Sequence, residues 1–314
     1  MKIQITSKKF NTYKDMSKSA INWEHQCSYT LLPCAFDGEH HVIELPHIQL
    51  SYSSRLGGFM HDAISPKDSI SIAIIQECKN KACFDRFKLY QGMVLFFDDA
   101  KALNYMSSGE IKTTIISISK YSFELSHLLG KYIMDRNGIL SSLLTDILEK
   151  FLDKNIIMNF DEVEKDILNI LDILIETEIP QNSHLTNGEE IVLLIRDQVY
   201  HHMDGKINIQ TFAKQYQVSE QTIQNSFKSL FGFTPKKFLQ LLKLNLVHHD
   251  LQKFNSNEIT VSRIASKWGF THIGRFSQEY TKLFGENPSK TLKSLAYIRG
   301  DMIKSCTSRK EEME

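Results

Sequence analysis

In the stretch EQTIQNSFKSLF, Gln221, Gln224 and Asn225 fall on the outward positions of a helix, and in HIGRFSQEYTKLF, Ile273, Ser277 and Gln278 do. Carboxamides can hold an adenine edge through a paired donor and acceptor, and an isoleucine can meet a thymine methyl, so these residue types suit an A·T-rich duplex. Lys228, Lys236, Arg275 and Lys282 stand nearby as phosphate candidates, because charge positions a duplex without reading its sequence. Ser219 and Thr271, at the two helix starts, join them on the phosphate list.

Two other constellations could carry different chemistry. His40 and His41 are adjacent with Glu44 and His47 close by, but adjacent residues of a strand point to opposite faces and no H-x-H is present. The expected reading is surface or core histidine, with no metal. Cys27, Cys34, Cys78 and Cys83 are spaced C-x6-C and C-x4-C, looser than a tight zinc knuckle. Free buried cysteine is the commoner state. No catalytic residue and no cofactor is expected, so the chain is not read as an enzyme.

The elements that must present the first set are announced by an internal echo. Phe231-Gly232-x-x-Pro235 recurs as Phe284-Gly285-x-x-Pro288, displaced by 53 residues, and Ala213 with Val218-Ser219 recurs as Ala265 with Phe270-Thr271, displaced by 52. One extra residue therefore sits in the later half of the second copy. Each copy reads as two short helices around a tight turn. Asn208 and Ser219 are expected to cap the first pair, Thr260 and Thr271 the second, and Gly269 suits a left-handed turn. Ile223, Phe227 and Leu230 make one buried stripe, with Phe276, Tyr280 and Phe284 the other. Between the copies, a helix of about 17 residues, ~25 Å long, would hold two recognition helices about one DNA turn apart.

Upstream the pattern differs. From about Ile21 to Ile118 short β-rich runs are broken at Asp37-Gly38, Gly57-Gly58, Ser65-Pro66 and Ser108-Gly109, which predicts an all-β barrel or sandwich. Helical spacing follows over 139–151 and 161–178. IPQNSHLTNG (179–188) is the best linker, and the tail 295–314 is charged. The expected domains are 1–180, 188–294 and that tail.

The formal net charge of the 314 residues is zero, yet residues 205–294 hold 13 Lys+Arg against 5 Asp+Glu. The residues before 205 hold 20 against 28. A neutral total is thus an acidic part and a basic part that cancel, and the basic part suits a polyanion. With 42% hydrophobic residues and few Gly and Pro, the composition excludes a fibrous or disordered chain. No apolar run reaches membrane length and no signal peptide is evident, so a cytoplasmic protein with no membrane partner is expected.

Residues 188–294 resemble the DNA-binding domain of AraC/XylS-type transcription regulators, above all in GFTHIGRFSQEYTKLFGENPSK with Gly269-Phe270, Phe276, Tyr280, Phe284-Gly285 and Pro288. The resemblance implies a multidomain protein: an N-terminal β-rich, cupin-like barrel with trailing helices, then an all-α domain with two helix-turn-helix units. It implies double-stranded DNA as partner, RNA polymerase as a second, a small-molecule effector at the N-terminal domain, a homodimer, and activation rather than repression. Two alternatives stay open: an Ada-like zinc/cysteine DNA-repair activator, or a regulator whose N-terminal domain only oligomerises. The chain departs from the family pattern at Gln278-Glu279, Asn225, Lys243-Leu244 and Val247-His248, which bears on the operator rather than the fold.

Overall fold

Strict alternation of apolar and polar residues needs two faces with different neighbours, and the N-terminal part supplies them. The computed structural model describes residues 5–11, 15–16, 23–32, 36–99, 103–121, 125–153, 159–201, 208–254 and 259–293. The described residues form two compact units, one drawn from 1–28 and 35–235, the other from 29–34 and 236 onward.

The first unit contains strands β1 (Ile5–Phe10), β2 (Glu24–Thr30), β3 (Asp37–Glu44), β4 (Ile48–Leu56), β5 (Gly58–Ile64), β6 (Ser69–Cys78), β7 (Ala82–Phe84), β8 (Phe87–Lys88), β9 (Met93–Asp98), β10 (Leu103–Ser108), β11 (Ile111–Ser119) and β12 (Tyr132–Met134). They make a seven-stranded sheet in the order β1-β3-β4-β11-β6-β9-β12 and a five-stranded sheet in the order β2-β5-β10-β7-β8. Of the barrel or sandwich expected, the described residues show a pair of sheets, and no ladder closes one onto the other among them. Gly57, at φ 132°, and Ser65-Pro66 connect strands as the sequence predicts. Asp37-Gly38, expected as a break, instead opens β3: Gly38 pairs with Phe10 on one side and Arg55 on the other. Residues 5–10, outside the β-rich span read from the sequence, supply the edge strand β1.

The alternation sorts the seven-stranded sheet. Leu50 and Tyr52 of β4, Ile72 and Ile74 of β6, Phe96 of β9 and Ile116 of β11 face two helices, α1 (Ile139–Leu152) and α2 (Phe160–Thr177). Leu140, Leu144, Ile147, Ile167 and Leu171 of those helices fill that layer. Burying such a side chain contributes ~1.5–3 kcal/mol, so this layer holds the helices on the sheet. Specific bonds fix the register: Tyr52 Oη donates to the Leu144 carbonyl at 2.7 Å, and Glu164 accepts from the His47 backbone N–H at 2.9 Å. Asp135 accepts from the Ser141 N–H at 2.9 Å, anchoring the start of α1. The opposite face of the sheet meets the five-stranded sheet through Ile75, Leu95 and Ile111 against Phe59 and Tyr105.

The segment expected as a linker is fastened rather than free. Gln181 and Tyr132 exchange backbone bonds of 2.8 and 3.0 Å, and Tyr132 Oη donates to Gln181 Oε1 at 2.9 Å. Ser183 Oγ adds a bond to the Arg86 carbonyl. Helix α3 (Asn187–His201) then starts on a capping box, in which the Thr186 N–H donates to Glu189 Oε2 at 3.0 Å and the Glu189 N–H to Thr186 Oγ1 at 3.3 Å.

The remaining helices are α4 (Ile209–Gln215), α5 (Glu220–Phe231), α6 (Pro235–Lys253), α7 (Val261–Lys267) and α8 (Ile273–Phe284). Among the described residues no helix is long and apolar enough to cross a membrane. The charged tail 295–314, Cys34 and Cys306 lie outside the described residues.

Candidate nucleic-acid interface

The sequence echo is an echo of backbone geometry. In the first copy the Val218 N–H donates to the Ala213 carbonyl at 3.0 Å; in the second the Phe270 N–H donates to the Ala265 carbonyl at 3.1 Å. Each turn needs one residue at positive φ, and the two occupants are Gln217 (φ 55°) and Gly269 (φ 82°), again 52 apart. Glycine takes that conformation without steric cost and glutamine does not. The helices of each unit also end alike: Gly232 (φ 79°) and Gly285 (φ 73°) close α5 and α8 as left-handed C-caps.

The extra residue of the second copy falls in its turn. Ser219 is the N-cap of α5 and accepts from the Thr222 N–H at 3.0 Å. The equivalent position before α8 is His272, with no side-chain cap bond, so Thr271 does not open the helix as expected. Asn208 and Thr260 cap α4 and α7 as the sequence predicts, accepting from Gln210 and Arg263.

Each unit holds its second helix by one apolar face. Ile223, Phe227 and Leu230 of α5 are buried, with Phe231 beside them. In α8 the stripe is Phe276, Tyr280 and Leu283. Phe284, expected in that stripe, is half-buried and stacks on His248 of α6, ring centroids 4.1 Å apart. Tyr280 Oη donates to Thr291 Oγ1 at 2.9 Å and lies 2.6 Å from His248 Nδ1, tying α8 to α6. Asp250 of α6 receives Lys267 Nζ at 2.8 Å and the Trp268 indole N–H at 2.9 Å, tying in α7.

What each burial leaves outside is the candidate surface. Gln221, Asn225 and Lys228 of α5 are exposed and Gln224 is half-buried. Gln221 Nε2 donates to Asn225 Oδ1 at 2.8 Å, so these two carboxamides lie together on the exposed side of α5. On α8, Arg275, Gln278 and Lys282 are exposed, while Ile273 and Ser277 are half-buried; Gly274 leaves open space beside them. Ser219, Lys236 and Thr271 are exposed as well. Glu279, next to Gln278, turns partly inward: it pairs with Arg275 Nε at 3.1 Å and accepts from Gln240 of α6. Arg275 is therefore partly engaged at home, whereas Lys228 and Lys282 extend to solvent.

The linking helix α6 has 19 residues, ~28 Å at 1.5 Å per residue, slightly longer than the spacing predicts. It is apolar on several sides, with Phe238, Leu241, Leu242, Leu244 and Val247 buried, which suits a helix with packed neighbours around it.

The other constellations stay apart. His40 and His41 are both buried; His40 Nε2 meets Ser51 Oγ at 2.7 Å, and His41 Nε2 lies 3.3 Å from Glu39. Cys78 and Cys83 are free thiols, and burial pushes the Cys83 thiol up to about 12, which leaves it protonated and a poor nucleophile.

The solved AraC-like transcriptional activator CuxR aligns with 84% of this chain and 100% of its own, at 10% identity and a TM-score of 0.43. A family model described as "Helix-turn-helix domain" matches residues 212–294. The "Probable thc operon regulatory protein" of Rhodococcus erythropolis is 31% identical over 107 residues, 34% of this chain and 32% of that relative. The XylDLEGF operon transcriptional activator of Pseudomonas putida is 30% identical over 105 residues, 33% of this chain and 32% of its own. The chain thus spans about a third of the length of these curated relatives. The family match, taken with two copies of one turn geometry, makes residues 212–294 a helix-turn-helix domain, similar in sequence to the corresponding part of these operon regulators.

Proposed function

We propose that the protein is a sequence-specific DNA-binding transcription regulator that acts in the cytoplasm as an activator. Residues 188–294 read the duplex and residues 1–180 respond to a small-molecule effector. Gln221, Gln224, Asn225, Ile273, Ser277 and Gln278 read base edges. Ser219, Lys228, Lys236, Thr271, Arg275 and Lys282 meet phosphates. The observation that carries this reading is the repeated turn geometry, which leaves an exposed carboxamide and lysine face on both α5 and α8. The excess of basic residues over 205–294 supplies the sequence-independent attraction.

The active species is a homodimer that contacts RNA polymerase. Ile139 and Ile173, on α1 and α2, are 53% and 58% exposed, an apolar supplement to the face those helices bury. Sedimentation at micromolar concentration is expected to give twice the 36.3 kDa of one chain; a single species at that mass removes the dimer. The regulator reading is tested by mapping chromosomal occupancy in the cell. Enrichment at a few promoters supports it, and uniform occupancy along the chromosome contradicts it.

A further inference from the structure

Between the two sheets lies a small cavity whose walls come from one phase of each strand's alternation: Ser51, Ser53 and Arg55 of β4, His61 of β5, Tyr105 of β10 and Thr113 of β11 on its polar side. His40 of β3 joins that side, and the rest is apolar, including Ile75, Leu89, Leu95 and Phe97. Its volume is about 90 Å³, against ~10–15 Å³ needed for one water by such a measure. That suits a body of several heavy atoms.

Arg55 is the unusual occupant. It is only 9% exposed, its guanidinium lies over the rings of Phe59 and Tyr105 at 5.3 and 5.0 Å, and Nη2 donates to Thr113 Oγ1 at 2.9 Å. Its buried Nε has no hydrogen-bond partner among the described residues. No carboxylate lines the cavity. A guanidinium stays charged at any physiological pH, and a buried charge without a counter-ion is costly. Aromatic faces relieve part of that cost and leave the planar fork of donors for an anion. Arg55 is the one guanidinium or ammonium group in the described lining, beside hydroxyls and the imidazoles of His40 and His61, so it matches a single negative charge, and the apolar walls exclude a ligand that is polar throughout.

We infer that this cavity binds a compact amphipathic monocarboxylate, its carboxylate on Arg55 and its apolar body against Ile75, Leu95 and Phe97. This rests on the reading of the β-rich part as the effector-responsive half, and names the ligand class.

The test is isothermal titration calorimetry on the full chain with butanoate, hexanoate, octanoate and phenylacetate, and with hexan-1-ol and hexylamine as neutral and cationic controls. At least one acid is expected to bind tenfold or more tightly than the alcohol, with the amine weakest. Arg55→Met is expected to abolish that preference while leaving the unliganded unfolding temperature equal or higher, because it removes an uncompensated buried charge. Arg55→Lys, which keeps the charge and loses the fork, is expected to weaken the acid yet retain its preference over the amine; it stands in should the methionine variant fail to fold. The inference is overturned if no acid outbinds the alcohol, or if acid affinity is unchanged in the variants. A gel shift on the same preparation separates the two readings: intact DNA binding without acid binding overturns the ligand class alone.

Discussion

Lys88 of β8 and Glu189 of α3 form an ion pair that Ser229 of α5 completes. Ser229 Oγ donates to Glu189 Oε1 at 2.6 Å and lies 3.3 Å from Lys88 Nζ. The Glu189 side chain is 3% exposed. Strand β8 is flanked by Phe84 and Leu89, both of which line the cavity between the sheets. One hairpin and one ion pair thus join the lining of that cavity to α5. Lys88→Met leaves Glu189 buried and uncompensated, so it is expected to cost ~3 kcal/mol in urea unfolding. Adding Glu189→Gln to it is expected to recover part of that loss, since the two effects share one contact. Additive losses would mean that the pair is not the unit described.

The same carboxylate predicts a pH dependence. Burial acts to raise the Glu189 carboxyl, but the bonds from Lys88, Ser229 and the Thr186 N–H outweigh it and hold the group at about 2, below its ordinary 4.5. The unfolded chain therefore binds the proton more tightly, and stability rises with pH across this window. The contribution is complete above 4.5 and is lost as pH falls toward 2. Glu189→Gln should flatten that slope in thermal melts taken from pH 5 to pH 2; an unchanged slope would place the acid sensitivity elsewhere.

Gly285 tests the repeated helix end. A Cβ there would meet no atom within 4 Å, so only its φ of 73° opposes a side chain. Gly285→Ala is expected to cost ~1–2 kcal/mol by chemical denaturation, and Gly285→Asn less, because asparagine tolerates the left-handed region. Equal costs for both would point to crowding rather than backbone strain.

Much of this was legible in the sequence, and the limits have physical causes. The two helix-turn-helix units could be read because their determinants are local: a cap, a turn residue, a C-terminal glycine and a stripe at helical spacing. Even so, Gln217 gave no warning of its positive φ, since glutamine has no preference for that region and the turn bonds that accompany it are not written in its residue type. Arg55 was within reach, because Ser51, Ser53 and Arg55 share one phase of a strand whose other phase, Leu50 and Tyr52, is apolar. The partner of Glu189 lies about a hundred residues earlier in the chain, and nothing in the spacing links them. The stretch 179–188 has the composition of a linker, yet Gln181 pairs with Tyr132, because composition does not record which backbone groups find a strand edge.

The contacts proposed for Gln278 and Lys228 differ in kind, one to a base edge and one to a phosphate. Gln278→Ala should weaken binding to a selected site by ~1–3 kcal/mol and leave binding to unrelated duplex nearly unchanged. Lys228→Ala should weaken both alike and reduce the slope of log affinity against log salt by ~0.9. Filter binding at several salt concentrations reads both numbers, and a uniform loss from Gln278→Ala would remove its base-reading role.

The most direct measurement of the central claim is selection of the full chain against random-sequence duplex DNA. The expected result is enrichment of two short A·T-rich elements spaced about one helical turn, ~10 base pairs, apart, one for each recognition helix. Selected pools no more tightly bound than the starting pool would contradict it.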